Sequence, residues 1–363
     1  MIKKRFILSI LAVIAIICIV VLVFSVIISP KTSPISSMTF EEMLEYTTKG
    51  NEDAVITIGV VRDGETSFTV YGNNASILPD TEHIYEIGSL TKTFTAALLC
   101  KAISEGKVDL DNRIDRYLKL PQQVYYPTLK RLVTHTSGYK EYYFERQMIS
   151  NFFHGQKNTF YGIDENVLKR RIGKTDLENM DYPFKYSNFG MATVGAVLSK
   201  VYDQDFTSLI NEFILNDLAL ENTRVSDGKG DLNGYWNWRV DDAYVPAGAL
   251  LSTIGDMIKY LNLQISGEIP YLSYAHEKIA HVDATTEEYG KMNIVIDAVG
   301  IGWMIDLKND IIWHNGGTSK FNCYAAFNPE RRIGVVVLSN LSPNYRIPAT
   351  VIGARLMTDL LSQ

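Results

Sequence analysis

Hydrophobic and polar positions divide the chain into an apolar leader and a long stretch of mixed pattern. Residues 6–29 run 24 positions with only Ser9, Cys18, Ser25 and Ser29 as mild polar interruptions, behind Lys3, Lys4 and Arg5. As a helix this run is roughly 36 Å long, more than the ~30 Å hydrocarbon core of a bilayer. Basic residues ahead of it place the N-terminus in the cytoplasm. A cleaved signal peptide has a shorter apolar region, about 7–15 residues, ending at a small-residue site. No such site follows here, and Ile17 before Cys18 is not the small residue of a lipoprotein signal. The pattern predicts an uncleaved single-pass anchor over residues 1–30. Residues 31–50 then hold a linker (30–37) and a first helix, and residues 51–363 form one extracytoplasmic domain.

Within that domain, residues 54–61 and 66–71 are β-branched apolar runs joined through Asp63-Gly64, a hairpin signal. Residues 93–103 are apolar nearly all round, the mark of a buried helix, with Gly106 as its stop. A helical middle follows, rich in aromatic residues between positions 139 and 182, and residues 252–263 read as another helix. Residues 301–306, 310–314, 321–327 and 333–339 read as four short strands, and 349–361 as a closing helix. Strands at both ends with helices between them predict an α+β fold, its antiparallel sheet completed by both ends of the domain and accompanied by a mainly helical subdomain.

Composition narrows the function. Apolar residues make up 46% and charged residues 21% of the 363, the balance of a globular chain. Net charge is −6, and setting aside Lys3, Lys4 and Arg5 makes the exported part −9, which argues against nucleic acid as a partner. Cys100 and Cys323 lie in apolar stretches and read as small buried residues, not a disulfide scaffold. The six histidines are scattered with no H-E-x-x-H pattern, which argues against a metallohydrolase. No phosphate loop, cofactor signature or G-x-S-x-G elbow occurs, so neither metal nor cofactor is expected.

Three short motifs carry chemistry. Ser89-Leu90-Thr91-Lys92 stands where the buried helix begins, and its one-turn spacing lets the lysine amine reach the serine hydroxyl. A serine needs such a base to become a nucleophile, and a helix N-terminus favours a developing oxyanion. Tyr186-Ser187-Asn188 offers a phenol that a neighbouring ammonium would push towards phenolate, and an amide donor for a substrate carbonyl. His314-Asn315-Gly316-Gly317 ends a predicted strand with glycines that permit close approach of another backbone or a ligand. Each alone also fits an ordinary helix start, turn or surface histidine; their order together is what is specific.

In that order the motifs resemble the penicillin-recognising serine hydrolases, in the branch of class C β-lactamases, DD-peptidases and related esterases. The stretches Thr134-His135-Thr136-Ser137-Gly138, Pro246 to Thr253, Gly302-Trp303 and Asn328 to Asn340 extend the resemblance over roughly residues 55–361. It implies a β-lactamase/DD-peptidase-like fold and acylation of Ser89. Lys92 and Tyr186 would share the proton transfers, and Asn188 would hold the substrate amide. The N–H groups of Ser89 and Gly317 would form the oxyanion hole, with His314, Asn315 and Gly316 beside the substrate.

The usual K-T-G is replaced by His314-Asn315-Gly316. A mostly neutral histidine makes the pocket less positive, which counts against efficient β-lactam hydrolysis and against a strong demand for a substrate carboxylate. His135 is expected to brace a loop. Glu212, opposite the apolar face formed by Phe206, Leu209, Ile210, Phe213 and Ile214, is expected in solvent, as is Lys320. The expected protein is a membrane-anchored acyl-enzyme hydrolase of D-residue, cell-wall-type peptides. A class C-like β-lactamase or esterase, and a penicillin-binding sensor with little turnover, are the alternatives. Specificity is expected in segments 139–182 and 267–299, and oligomeric state has no signature.

Overall fold

The computed structural model describes residues 32–363. The anchor expected over residues 6–29 lies outside them, and among the described residues no helix is long and apolar enough to cross a membrane. The chain divides into two units, Met1–Met38 and Thr39–Gln363. In the first, the segment expected as a linker is helical over Thr32–Ser37.

The second unit begins with helix α1 (Phe40–Thr48), started by a capping box in which Thr39 and Glu42 satisfy each other's backbone N–H groups. This helix is part of the compact unit, which therefore starts ahead of the expected boundary at residue 51. The Arg346 guanidinium donates to the carbonyls of Tyr46, Thr47 and Lys49 and ties the end of α1 to the C-terminal part of the chain.

The predicted hairpin is β1 (Ile56–Arg62) and β2 (Glu65–Tyr71). Asp63 and Gly64 both take positive φ, 51° and 85°, as a two-residue turn matched to strand twist requires. An eight-stranded antiparallel sheet runs β2-β1-β11-β10-β9-β8-β7-β6. Its later members are β6 (Ala280–His281), β7 (Ala298–Val299), β8 (Met304–Asp306), β9 (Ile311–Gly317), β10 (Asn322–Asn328) and β11 (Ile333–Ser339). Strand β1 pairs with β11, Ile56 opposite Ser339 through Arg62 opposite Ile333, so both ends of the domain complete the sheet as expected.

Strands β10 and β11 are buried at every position because helices cover both faces. Gly59 and Gly334 lie under Ile258 and Leu261 of helix α9 (Ile254–Ser266). Tyr324, on the alternate face, meets Gly353 of the closing helix α11 (Ala349–Leu361). The buried helix is α2 (Thr91–Ser104), and Gly106 follows it with φ +68°.

A second sheet, order β3-β5-β4, joins β3 (Tyr85–Glu86), β4 (Arg224–Val225) and β5 (Leu250–Ser252). Ser252, expected to open a helix, is therefore the last strand residue, and Thr253 caps α9 by accepting from the Asp256 N–H. The remaining helices are α3 (Leu129–Val133), α4 (Arg146–Phe153), α5 (Glu165–Ile172), α6 (Asn188–Tyr202), α7 (Phe206–Asn216), α8 (Val245–Gly248) and, late in the chain, α10 (Glu287–Gly290).

Candidate active site

The three motifs meet where α2 begins. Ile87 is tied to β5 by its N–H to the Leu250 carbonyl, and the Leu250 N–H is accepted by Thr91 Oγ1. Between these anchors Gly88 takes φ +48°, turning Ser89 into the cleft on a single 3₁₀ turn. Strand β9 arrives against this turn with no room for side chains. A Cβ on Gly316 would lie 1.9 Å from the Ile87 carbonyl oxygen, and one on Gly88 would lie 2.5 Å from the Gly317 nitrogen. The glycines expected to permit close approach are thus what seats the strand beside Ser89.

Lys92 is fully buried, its Nζ 2.8 Å from Ser89 Oγ and donating to the Ala247 carbonyl at 2.6 Å. Burial holds the amine well below its ordinary pKa, with Glu141 opposing the shift. The lysine thus stands beside the serine with its charged form disfavoured by burial, as a base for the serine proton requires.

Tyr186 lines the same cleft as Ser89, and Lys92 Nζ lies 4.9 Å from its ring centroid. Burial pushes this phenol well above 10, against the opposing influence of Ser89. The rise runs against the phenolate that the sequence suggested, and burial is its first cause.

The Tyr186 loop is held from behind. Ser187 caps α6 by accepting from the Gly190 N–H and donates to the Lys140 carbonyl. His135, buried with φ 58°, accepts the Ser187 N–H at Nδ1 (3.2 Å), and its carbonyl accepts from the Lys185 N–H. Burial lowers its pKa, so the ring stays neutral in this brace. Asn188 follows at the start of α6, with its Nδ2 3.5 Å from Glu141 Oε1.

His314 is buried at 1% exposure. Its Nδ1–H donates to the Asn315 carbonyl and its Nε2 has no partner. Burial first, then Lys92, lowers its pKa to about 3, so the position holds no charge. The ring lies 6.2 Å from the Tyr186 ring and lines neither cavity described below. Asn315 donates its amide to Thr350 Oγ1 of α11 (3.0 Å). Glu212 and Lys320 are exposed, as expected, and both Cys100 and Cys323 are buried and unbridged.

Ser89, Tyr186 and Gly317 stand between two cavities. One, about 320 Å³, continues past Asn188 to Glu141, Tyr142, Phe160, Trp236, Trp238 and Tyr244. The other, about 450 Å³, is lined by Asn315, Gly316, Trp313 and residues of the 289–304 and 343–351 segments, with no charged side chain among them. Sequence reasoning missed Glu141 and the two tryptophans. Glu141 follows the Thr134–Gly138 stretch by only three residues, but no periodicity marks it. Trp236 and Trp238 lie in an irregular loop.

The beta-lactamase family model matches residues 49–354. Protein flp of Staphylococcus aureus (strain MW2) is 22% identical over 284 residues, 72% of this chain and 53% of that protein, so the chain spans about half the length of this relative. The D-alanyl-D-alanine-carboxypeptidase/endopeptidase AmpH of Escherichia coli (strain K12) is 24% identical over 78% of this chain and 79% of that protein. The solved structure of a beta-lactamase/D-alanine carboxypeptidase from Yersinia pestis, complexed with citrate, shares the fold. Its TM-score is 0.67 at 19% identity, covering 92% of this chain and 99% of that one. With its S-x-x-K serine, its Y-S-N loop and its glycine-ended strand gathered at one cleft, the chain belongs to the beta-lactamase family.

Proposed function

We propose that Ser89 forms an acyl-enzyme and that the protein is a membrane-anchored, extracytoplasmic peptidase or amidase of D-amino-acid-containing, cell-wall-type peptides. The observation that carries the chemistry is the 2.8 Å contact between Ser89 Oγ and the buried Lys92 amine at the junction of two cavities. Ser89 Oγ attacks the scissile carbonyl while its proton passes to Lys92 Nζ. The N–H groups of Ser89 and Gly317 receive the oxyanion, and the Asn188 amide holds the acyl part of the substrate. Collapse breaks the bond to the leaving group, which takes a proton through the Tyr186 hydroxyl. Water then attacks the ester by the reverse relay and frees Ser89. The D-residue preference is supported by the activity in AmpH's name.

A fluorescent β-lactam and a fluorophosphonate should label the wild-type chain at Ser89 and leave a folded Ser89→Ala variant unlabelled, and D-alanyl-D-alanine peptides should be cleaved. Equal labelling of the variant would remove the nucleophile. The anchoring rests on residues 6–29, and N-terminal sequencing of the native protein checks it; a mature start between residues 30 and 39 would make that run a signal peptide. Fast labelling without acyl release would instead favour a penicillin-binding sensor.

A second reading, an esterase, is favoured by one observation. No cation lines the Asn315 side of the cleft, and Arg346, the nearest arginine in sequence to that wall, is engaged with α1 carbonyls. A leaving group without a carboxylate fits there, which also counts against efficient β-lactamase action. Comparing one acyl group on a phenol and on a D-alanine leaving group separates the two.

A further inference from the structure

The Glu141 side of the cleft combines a carboxylate with aromatic walls. Phe160 stacks on Tyr244 with centroids 4.3 Å apart, Tyr142 meets Phe160 edge-on at 5.9 Å, and Trp236 lies 6.2 Å from Trp238. These five rings and Glu141 share one cavity with Ser89, and among the described residues no lysine or arginine lines it. Glu141 is its sole charged lining group and is exposed to the cleft, with Asn188 Nδ2 as its polar neighbour at 3.5 Å.

The walls are built to keep their places. Trp236 donates its indole N–H to Ser319 Oγ at 2.8 Å and its backbone N–H to the buried Glu86 carboxylate, and its carbonyl accepts from Ser226 Oγ. Asp242 accepts the N–H groups of Gly162 and Arg239 and so fixes the chain on either side of the Phe160–Tyr244 stack. Ring faces carry negative potential and attract cations, and a carboxylate at the same cavity completes a receptor for a positive charge. An ammonium group would give that carboxylate an ionic partner, and an anionic group would be repelled.

We propose that this cavity is a subsite for an ammonium group, so that the preferred acyl donor carries a free amine close to its scissile carbonyl. The inference rests on the acyl-enzyme reading above, because the acyl chain attached to Ser89 must pass Asn188 to reach Glu141. It names the substrate class: aminoacyl esters or amides with an unblocked amine, in preference to N-acylated ones.

The test uses the full chain in detergent with three esters of one phenol, D-alanyl, N-acetyl-D-alanyl and propanoyl, and reads the ratio of kcat/KM between charged and neutral acyl groups. The wild type should favour the D-alanyl ester. In Glu141→Gln the charged-to-neutral ratio should fall about 10- to 100-fold, the range of a lost hydrogen bond to a charged group, and Glu141→Asp should recover part of it. Trp236→Leu should lower the same ratio by a smaller factor. A wild type that prefers the blocked or propanoyl ester, or a ratio unmoved by Glu141→Gln, overturns the ammonium subsite. Fluorophosphonate labelling of Ser89, which needs no ammonium, is measured in parallel. Labelling with no charge preference defeats this inference alone, and absence of labelling defeats the serine reading beneath it.

Discussion

The contact between Ser89 and Lys92 makes a base of a residue that is ordinarily a cation. Burial is what lowers the pKa of this amine, against Glu141, whose carboxylate favours the charged form. Lys92→Met keeps the buried stem and loses the base, so kcat/KM should fall about 10²–10⁴-fold for esters and amides alike; a loss confined to one substrate would make Lys92 a recognition group. The sign of the Glu141 effect gives a second expectation. Removing that negative charge lowers the pKa of Lys92 further, so in Glu141→Gln the acid limb of kcat/KM against pH for the propanoyl ester should move to lower pH. A shift to higher pH would mean that a group other than Lys92 controls the limb. Tyr186→Phe removes only the phenolic oxygen. With Tyr186 a phenol at neutral pH, the variant should lose proton delivery to the leaving group, and kcat should fall more for amides than for phenyl esters, whose leaving groups need no proton. Equal kcat values for variant and wild type would leave the tyrosine as a packing ring.

At the level of elements, the site depends on one strand lying against one turn. The Gly316 position at β9 has the Ile87 carbonyl 1.9 Å from where a Cβ would stand and the Leu90 nitrogen at 3.0 Å, both backbone atoms that cannot rotate aside. Gly316→Ala should therefore cost at least the 1–3 kcal/mol of a typical overpacking change, read in thermal unfolding, and should lose Ser89 labelling before it loses the fold. A variant labelled at the wild-type rate would mean that β9 does not position the nucleophile. How much was legible follows from the kinds of element involved. Strands β1, β2 and β11 and helices α2 and α11 were readable because each has at least seven residues of one pattern, or a turn as plain as Asp63-Gly64. Strands β3, β4, β6 and β7 have two residues each and too few positions to show a period. Ser89, Lys92, Tyr186 and Gly317 were readable because spacing alone brings the first two together and glycine marks the last. Glu141 and Trp236 were not, because their meeting across the cleft is set by loops whose hydrogen bonds run to distant residues such as Glu86 and Ser319.

Across the whole molecule, Glu86 joins the two sheets. It belongs to β3, accepts the Thr318 hydroxyl just beyond β9 at 2.6 Å and the Trp236 N–H from the aromatic wall, and is 2% exposed. Burial, only partly offset by these donors, raises its pKa from 4.5 to about 7. The folded state then holds a proton that the unfolded state has already released between those values, so the contribution of Glu86 to stability is full below about 4.5 and is lost as pH rises through 7. Buried histidines act the other way. His276, lowered by burial to about 4, and His314, lowered to about 3, stay neutral in the fold while the unfolded chain protonates them below 6.5, so they weaken the protein as pH falls. The measured stability is a sum of these opposing slopes, and the Glu86 part is isolated by difference. Glu86→Gln keeps the shape and an acceptor for Trp236 but cannot titrate. Relative to wild type it should gain stability as pH is raised from 5 to 8, by on the order of 1–3 kcal/mol for a shift of this size, measured by denaturant unfolding at matched ionic strength. A difference between the two proteins that stays constant across that range would mean that Glu86 ionises in the fold as it does in the unfolded chain. The joint between the sheets would then be held by a carboxylate and not by a carboxylic acid.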